Sequence, residues 1–331
     1  MAITSWSQGL GVNYNGLLNA AQLLACCGGA LSLPSNARFT RFSKNHHMLK
    51  RIERTQLSFS SAPFGSATAA CAAASSKRLR GTSDMFFLMK TIPEVCKTVS
   101  MRAKAYQLVF DYTGLLPEDG CRNQRDDEVV AHIRTLDMDP SCKTGCIGRS
   151  VHPGYGQPPL AYYLSAWNHS GRRTLHVVHK GTDSPVVQAL GMLAKTTSLP
   201  IFMHSNAGFE HDMKWLLCAS TIIMSRSALR FPTFASPRLK RLYEYEPPHR
   251  LHNRYLSFDG CATRRFYTRG GLILPRWTAT PAQKLHLLLT EVAPVDFAEE
   301  PRSAKWSWCV CNATRPVHGC PASLSRLGHS Q

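Results

Sequence analysis

The chain has 331 residues, 44% of them hydrophobic, enough for two ordinary domains or one large one, and this excludes wholesale disorder. Lys and Arg total 39 against 21 Asp and Glu, and the net charge of +18 points to an anionic partner: nucleotide, nucleic acid, phosphate or acidic lipid. The most apolar stretch, residues 16–34, is interrupted by Asn19 and Gln22, so no membrane span is expected, and no basic residue precedes it as a signal peptide requires.

In chain order, GLGVNYN (9–15) reads as a loop whose Gly-x-Gly could cradle an anion before a helix, or serve as a plain turn. A small-residue helix is predicted from Leu17 to Cys27, and a short strand in ALSLP (30–34). Residues 38–54 are strongly basic, and 58–83, rich in Ser, Ala and Gly, reads as a flexible surface insert. A helix is predicted over 93–108.

After a break at 112–128 the pattern becomes regular. Val129 to Ile133 predicts a strand, and 155–167 a turn and helix opened by Pro158 and Pro159. Then follow a strand (175–181), a helix (184–196), a strand (199–205), a helix (209–220) and a strand (221–227). This alternation predicts a parallel sheet with crossover helices, whose ligands sit at the strands' carboxyl ends. His132, Arg134, Ser205 and Ser227 fall at such ends. Beyond these, SPRLKRLYEYEPP suggests a strand and PRWTATPAQKLHLLLTEV a helix; no element is predicted after Pro294.

Twelve cysteines are many for a cytosolic enzyme. Cys142 and Cys146 could pair in an oxidising compartment. The tail group Cys309, Cys311, Cys320 and His318 matches no zinc spacing, so disulfides or free thiols are expected there. Two glycosylation patterns, at Asn168 and Asn312, are near chance in a chain of this length.

The stretch EVVAHIRTLDMDP (128–140) carries the chemistry. Asp137-Met138-Asp139 could hold a divalent cation that bridges a nucleotide sugar's diphosphate. Alternatively, Arg134 at a strand end could grip a diphosphate through paired hydrogen bonds and stabilise its leaving charge without metal. A third reading is a structural pairing of Arg134 with Asp137 or Asp139.

HIRTLD resembles the His-x-Arg-x-Gly-Asp signature of the GT-B-like fucosyltransferases, the α1,2, α1,6 and protein O-fucosyltransferase superfamily. GLGVNYNGLLNAAQLLACCGGALSLP is similar to that superfamily's N-terminal Gly-rich stretch, and HPGYGQPPLAYYLSAW to a Tyr-Gly-Gln-Pro-Pro segment of some members. FEHDMKWLLCASTIIMSRSAL is similar to its Asp, helix, strand and Ser-rich turn. SPRLKRLY, Trp277 and Gln283 also have counterparts, and the likeness covers roughly 8–290.

The resemblance implies a GT-B-like α/β fold, two Rossmann-like halves facing a donor cleft. The halves would span 1–124 and 125–245, with a partly irregular extension at 246–331. It implies inverting, metal-independent transfer of fucose from GDP-fucose, as donor substrate with no cofactor, to a hydroxyl of a glycan or glycoprotein acceptor. Arg134 would bind the β-phosphate, His132 would help seat the nucleotide, Asp212 would meet the guanine and Ser227 the phosphates. Gly11 and Asn13 would line the cleft from the other half, and Asp137 would deprotonate the acceptor. The signature's Gly is Leu136 here, and the usual Ser-Thr-Phe turn reads Ser227-Ala228-Leu229. The alternatives are therefore a catalytically inactive relative and, from another class, a basic polyanion or nucleic-acid binder. Against the latter, no nucleic-acid module is recognised, and Phe39, Phe42 and Phe59 are too few for a stacking platform. The resemblance places the protein in the Golgi or secretory lumen behind an anchor and stem. Met1 stands only a few residues before the Gly-rich loop, so the start is truncated or the anchor is missing, and a genuine start would imply the cytoplasm.

Overall fold

A computed structural model of the chain describes residues 2–5, 10–32, 56–59, 71, 78–80, 96, 105, 121, 125–133, 158–181, 184–205, 209–225, 233, 236, 238–245, 264–268 and 280–299. The predictions at Arg134, Asp137, Asp139, Cys142, Cys146, Ser227 and the cysteine-rich tail lie outside these residues.

Strand β1 (Ala2–Ser5) precedes a long helix, α1 (Leu10–Cys27). The predicted loop at 9–15 is thus corrected from Leu10 onward, and Gly11 and Asn13 are helical. A glycine costs a helix about 1 kcal/mol, which the Leu- and Ala-rich body that follows outweighs. Leu17 to Cys26 are all buried, so this segment is enclosed on every side. Burial leaves the Gln22 amide needing a partner, and its Nε2–H donates to the Cys96 carbonyl at 2.9 Å. Gly28, with φ 71°, ends the helix in the left-handed region.

Strands β2 (Gly29–Ser32), β3 (Gln56–Phe59) and β4 (Arg78–Arg80) complete a four-stranded sheet of order β3-β2-β1-β4. Here β1 runs parallel to β2 and β4, while β2 and β3 pair antiparallel. The predicted insert at 58–83 is therefore partly built into the fold, since it supplies β4 and the buried Cys71. Of the helix predicted over 93–108, Cys96 and Ala105 are described, both buried. Two disulfides, Cys26–Cys96 and Cys27–Cys71, join the end of α1 to these later segments.

The regular region follows the predicted order. It comprises β5 (Glu128–Ile133), α2 (Leu160–Ser170), β6 (Thr174–His179), α3 (Pro185–Thr196), β7 (Ile201–Ser205), α4 (Phe209–Cys218) and β8 (Thr221–Met224). Then come β9 (Arg241–Glu244), β10 (Arg264–Thr268), α5 (Pro281–Leu289) and, past a 3₁₀ turn at Pro294–Asp296, β11 (Phe297–Glu299). Neither β10 nor β11 was predicted. Both strands join the main sheet.

That sheet has the order β11-β10-β9-β8-β5-β6-β7, parallel throughout except for the antiparallel β11 edge. Counted along the chain, its parallel strands lie 6-5-4-1-2-3, the order of a doubly wound α/β sheet. From β5 the chain moves outward through β6 and β7, crosses back by α4, and moves outward again through β8 and β9. The direction reverses between β5 and β8.

Alternation assigns the two faces. Val129, Ala131 and Ile133 of β5, with Leu175, Val177, Ile201, Ile223 and Tyr243, pack against Tyr162, Tyr163 and Trp167 of α2, Val186 and Leu190 of α3, and Leu287 of α5. The opposite face carries Val130, His132, His176, Val178, Phe202 and His204, which the register sets in rows: Val130–His176–Phe202 and His132–Val178–His204. Helix α4 packs on that face, burying Met213, Leu216 and Leu217. A third disulfide, Cys121–Cys218, fastens its last residue to the segment ahead of β5. Among the described residues no helix is long and apolar enough to cross a membrane.

Candidate functional site at the sheet's carboxyl edge

In a doubly wound sheet the crevice opens where strand order reverses, outside the carboxyl ends of the two diverging strands. Here those strands are β5 and β8. His132, next to last in β5 and opposite Met224 of β8, is buried on the α4 face. Its carbonyl accepts hydrogen bonds from both the backbone N–H and the Oγ–H of Ser225, each at 3.2 Å. These bonds tie the two strand ends together. From the other face the buried phenol of Tyr162 donates to the Met224 carbonyl at 3.1 Å, fixing the β8 end to α2. Burial raises this phenol's pKa well above the usual tyrosine value, so it stays neutral and can donate.

Two further groups approach this edge. His179, last in β6, is buried, and its Nδ1–H donates to the Gly181 carbonyl at 3.0 Å. A carbonyl can only accept, so the neutral ring keeps its lone pair on Nε2. Burial lowers its pKa, partly offset by that hydrogen bond. Asp212, in the first turns of α4, is half-buried. Desolvation pushes its carboxyl up to about 6, while the Lys180 ammonium acts in the opposite sense. A carboxylate with that value exchanges protons near neutrality and, when ionised, is a strong acceptor for an N–H donor.

Deeper under α4 lies a stack that the sequence reading missed. The Trp215 ring lies 4.4 Å from His176 and 4.3 Å from His204, centroid to centroid. His176 Nδ1 and His204 Nε2 are 2.9 Å apart, and Trp215 Nε1–H donates to His211 Nε2 at 3.3 Å. Phe202 stacks on His176 from the solvent side, and the Glu128 carboxylate lies 3.7 Å from His176 Nε2.

Of the sequence-predicted site residues, the structure therefore places His132 and Asp212 on the α4 side of this sheet, and Gly11 and Asn13 within α1. Among the described residues, the one group of side chains close enough to hold a metal is Cys26, Cys27 and Cys96, whose sulfurs lie within 4.8 Å of one another. All three are engaged in disulfides, so none offers a thiolate. No family model, no curated protein and no solved structure matches the chain.

Proposed function

We propose that the protein is a GT-B-like, metal-independent, inverting glycosyltransferase that moves a sugar, fucose, from a GDP sugar to a hydroxyl of a glycan or protein acceptor. The observation that carries this reading is the parallel sheet of order 6-5-4-1-2-3, whose reversal point lies beside β5, the strand that ends in His132 and Ile133, the first two residues of HIRTLD. The motif resemblance supplies the donor. The sheet from β5 to β10 would be the donor-binding half, and the sheet containing β1 the other half.

In this mechanism the Arg134 guanidinium pairs with the β-phosphate as the bond from sugar C1 to the phosphate oxygen breaks. The electron pair leaves with GDP, and the cation stabilises that growing charge. The acceptor oxygen attacks C1 from the opposite face, its proton passing to a carboxylate, for which Asp137 is the candidate. Ser227 donates to the phosphates and His132 helps seat the nucleotide. Ionised Asp212 accepts from the guanine N–H edge, and Gly11 and Asn13 close the cleft from the other half. Three disulfides suit an oxidising compartment, which favours the secretory lumen.

Calorimetric titration of GDP, GDP-fucose, GDP-mannose and UDP-sugars, with EDTA and with Mn²⁺, tests the reading. GDP should bind without metal, and Arg134→Ala should weaken it by about tenfold or more, the loss expected for charged paired hydrogen bonds. Unchanged GDP affinity in Arg134→Ala would remove the site assignment. Binding that requires Mn²⁺ would move the chemistry to Asp137 and Asp139.

A further inference from the structure

The face beneath α4 holds more imidazole than a nucleotide site needs. His176, His204 and His211 converge there on Trp215, while His179, in register with Ile133, belongs by alternation to the other face. The hydrogen bond between His176 Nδ1 and His204 Nε2 requires one ring to accept, so it cannot survive with both rings protonated. His204 and His211 also lie ring to ring, with centroids 5.7 Å apart. Two positive charges in this stack would oppose each other across a partly desolvated space.

We propose that this stack is an acid-operated latch, in which protonation of its histidines frees the amino-terminal end of α4 from the sheet while the Cys121–Cys218 disulfide holds the carboxyl-terminal end. The released end carries Asp212 and uncovers the carboxyl edge of β5 and β6. The inference does not depend on what ligand binds there.

The charged surroundings favour this behaviour. From β5, Glu128 faces His176 and can stabilise one proton on it. From the end of β6 come His179 and Lys180, from β7 His204, and from α4 His211, Asp212 and Lys214. Among the described residues, Glu128 and Asp212 are the acids set against the three imidazoles of the stack and two lysines. Burial lowers the three stack histidines below the usual 6.5, and it takes His204 to about 4 with help from its histidine neighbours. The released state therefore binds protons more readily than the docked one. Docking is complete above about pH 6.5 and weakens as pH falls toward 4. Asp212 works the other way: its raised value means that protonation below about 6 relieves a buried charge and favours docking. One carboxyl is a counterweight to the three imidazoles of the stack and does not reverse the sign. His204 is partly exposed, so solvent screens its contribution; it still weakens docking about tenfold between pH 7.5 and pH 5.

Hydrogen exchange read by mass spectrometry on the intact, disulfide-bonded chain tests the latch, with rates corrected for the intrinsic pH dependence of exchange. Between pH 7.5 and pH 5, peptides covering 209–218 should lose about tenfold protection, while those covering α2 and β5 hold theirs. His176→Phe and His204→Phe keep an aromatic ring that cannot titrate and should flatten the profile. Asp212→Asn removes the counterweight without touching the stack and should steepen it. The latch is wrong if 209–218 keeps constant protection in the unaltered chain, if α2 and β5 lose theirs together with α4, or if the phenylalanine variants and Asp212→Asn all leave the profile unchanged. Because no nucleotide enters the experiment, these outcomes are separate from those of the GDP titration.

Discussion

The two faces of the main sheet are built from the same strands and differ in kind. Against α2, α3 and α5 the strands present Val, Ala, Ile, Leu and Tyr, and the interface is closed and apolar. Against α4, one residue along each strand, they present His132, His176 and His204. Sheet alternation thus lets one set of strands serve stability on one side and titratable chemistry on the other. On the apolar face the buried Tyr162 hydroxyl is pinned by the Met224 carbonyl, and at its rim His169 Nδ1 lies 2.9 Å from the Tyr243 hydroxyl. The α4 face instead keeps polar atoms with changeable partners, since His176 and His204 can exchange donor and acceptor roles.

Three substitutions can break or sharpen this contrast. The largest loss belongs to the apolar face. Tyr162→Ala should cost about 3–5 kcal/mol in urea unfolding, because it opens a cavity and leaves the Met224 carbonyl buried without its donor. A cost comparable to that of a surface change would mean this face is not the core. On the α4 face, Trp215→Ala should cost less, about 2 kcal/mol, since the residue is only partly buried and its stacking partners contribute modestly. Its cost should also shrink at pH 5, where the contacts it removes are already loosened; an equal cost at both pH values would count against the difference in kind. The smallest effect is expected at a helix end remote from both contrasts. The Thr280 hydroxyl accepts from the Gln283 N–H at 3.2 Å, and Thr280→Ala should lower stability by about 1 kcal/mol, read as a shift in midpoint at unchanged slope.

Much of the main sheet was legible in the sequence. From Val129 to Met224 the strands and helices alternate with glycine, proline or polar breaks between them, and each predicted element lies within a few residues of the observed one. The misses share a cause. Strand β10 is RRFYT, whose two leading arginines hide any apolar alternation, and β11 has three residues, too few to show a period. The start of α1 was hidden because Gly11 and Asn13 argue locally against a helix that the following ten buried residues stabilise. The histidine stack was hidden for a different reason. His176 and His204 stand 28 residues apart, and only strand register brings them together. A signal was nonetheless present: in LHVVHKG and IFMHS the histidines at 176 and 204 occupy positions of the same parity as His132. The four-stranded sheet was the least readable part, because its short strands are scattered over residues 2–80 and held by pairings and disulfides that no periodicity reports.

The Cys121–Cys218 bond has a consequence in time. Its partners are 97 residues apart, and everything from β5 to the last turn of α4 lies between them. At about 5–20 residues per second of synthesis, Cys121 waits roughly 5–20 s before its partner exists. During that wait Cys26, Cys27, Cys71 and Cys96 have already been made, so a chain leaving the ribosome must keep Cys121 out of their chemistry. The fastening of α4 is therefore a late act of biosynthesis, available only to a chain that has already produced three strands and two crossover helices of the sheet it clamps.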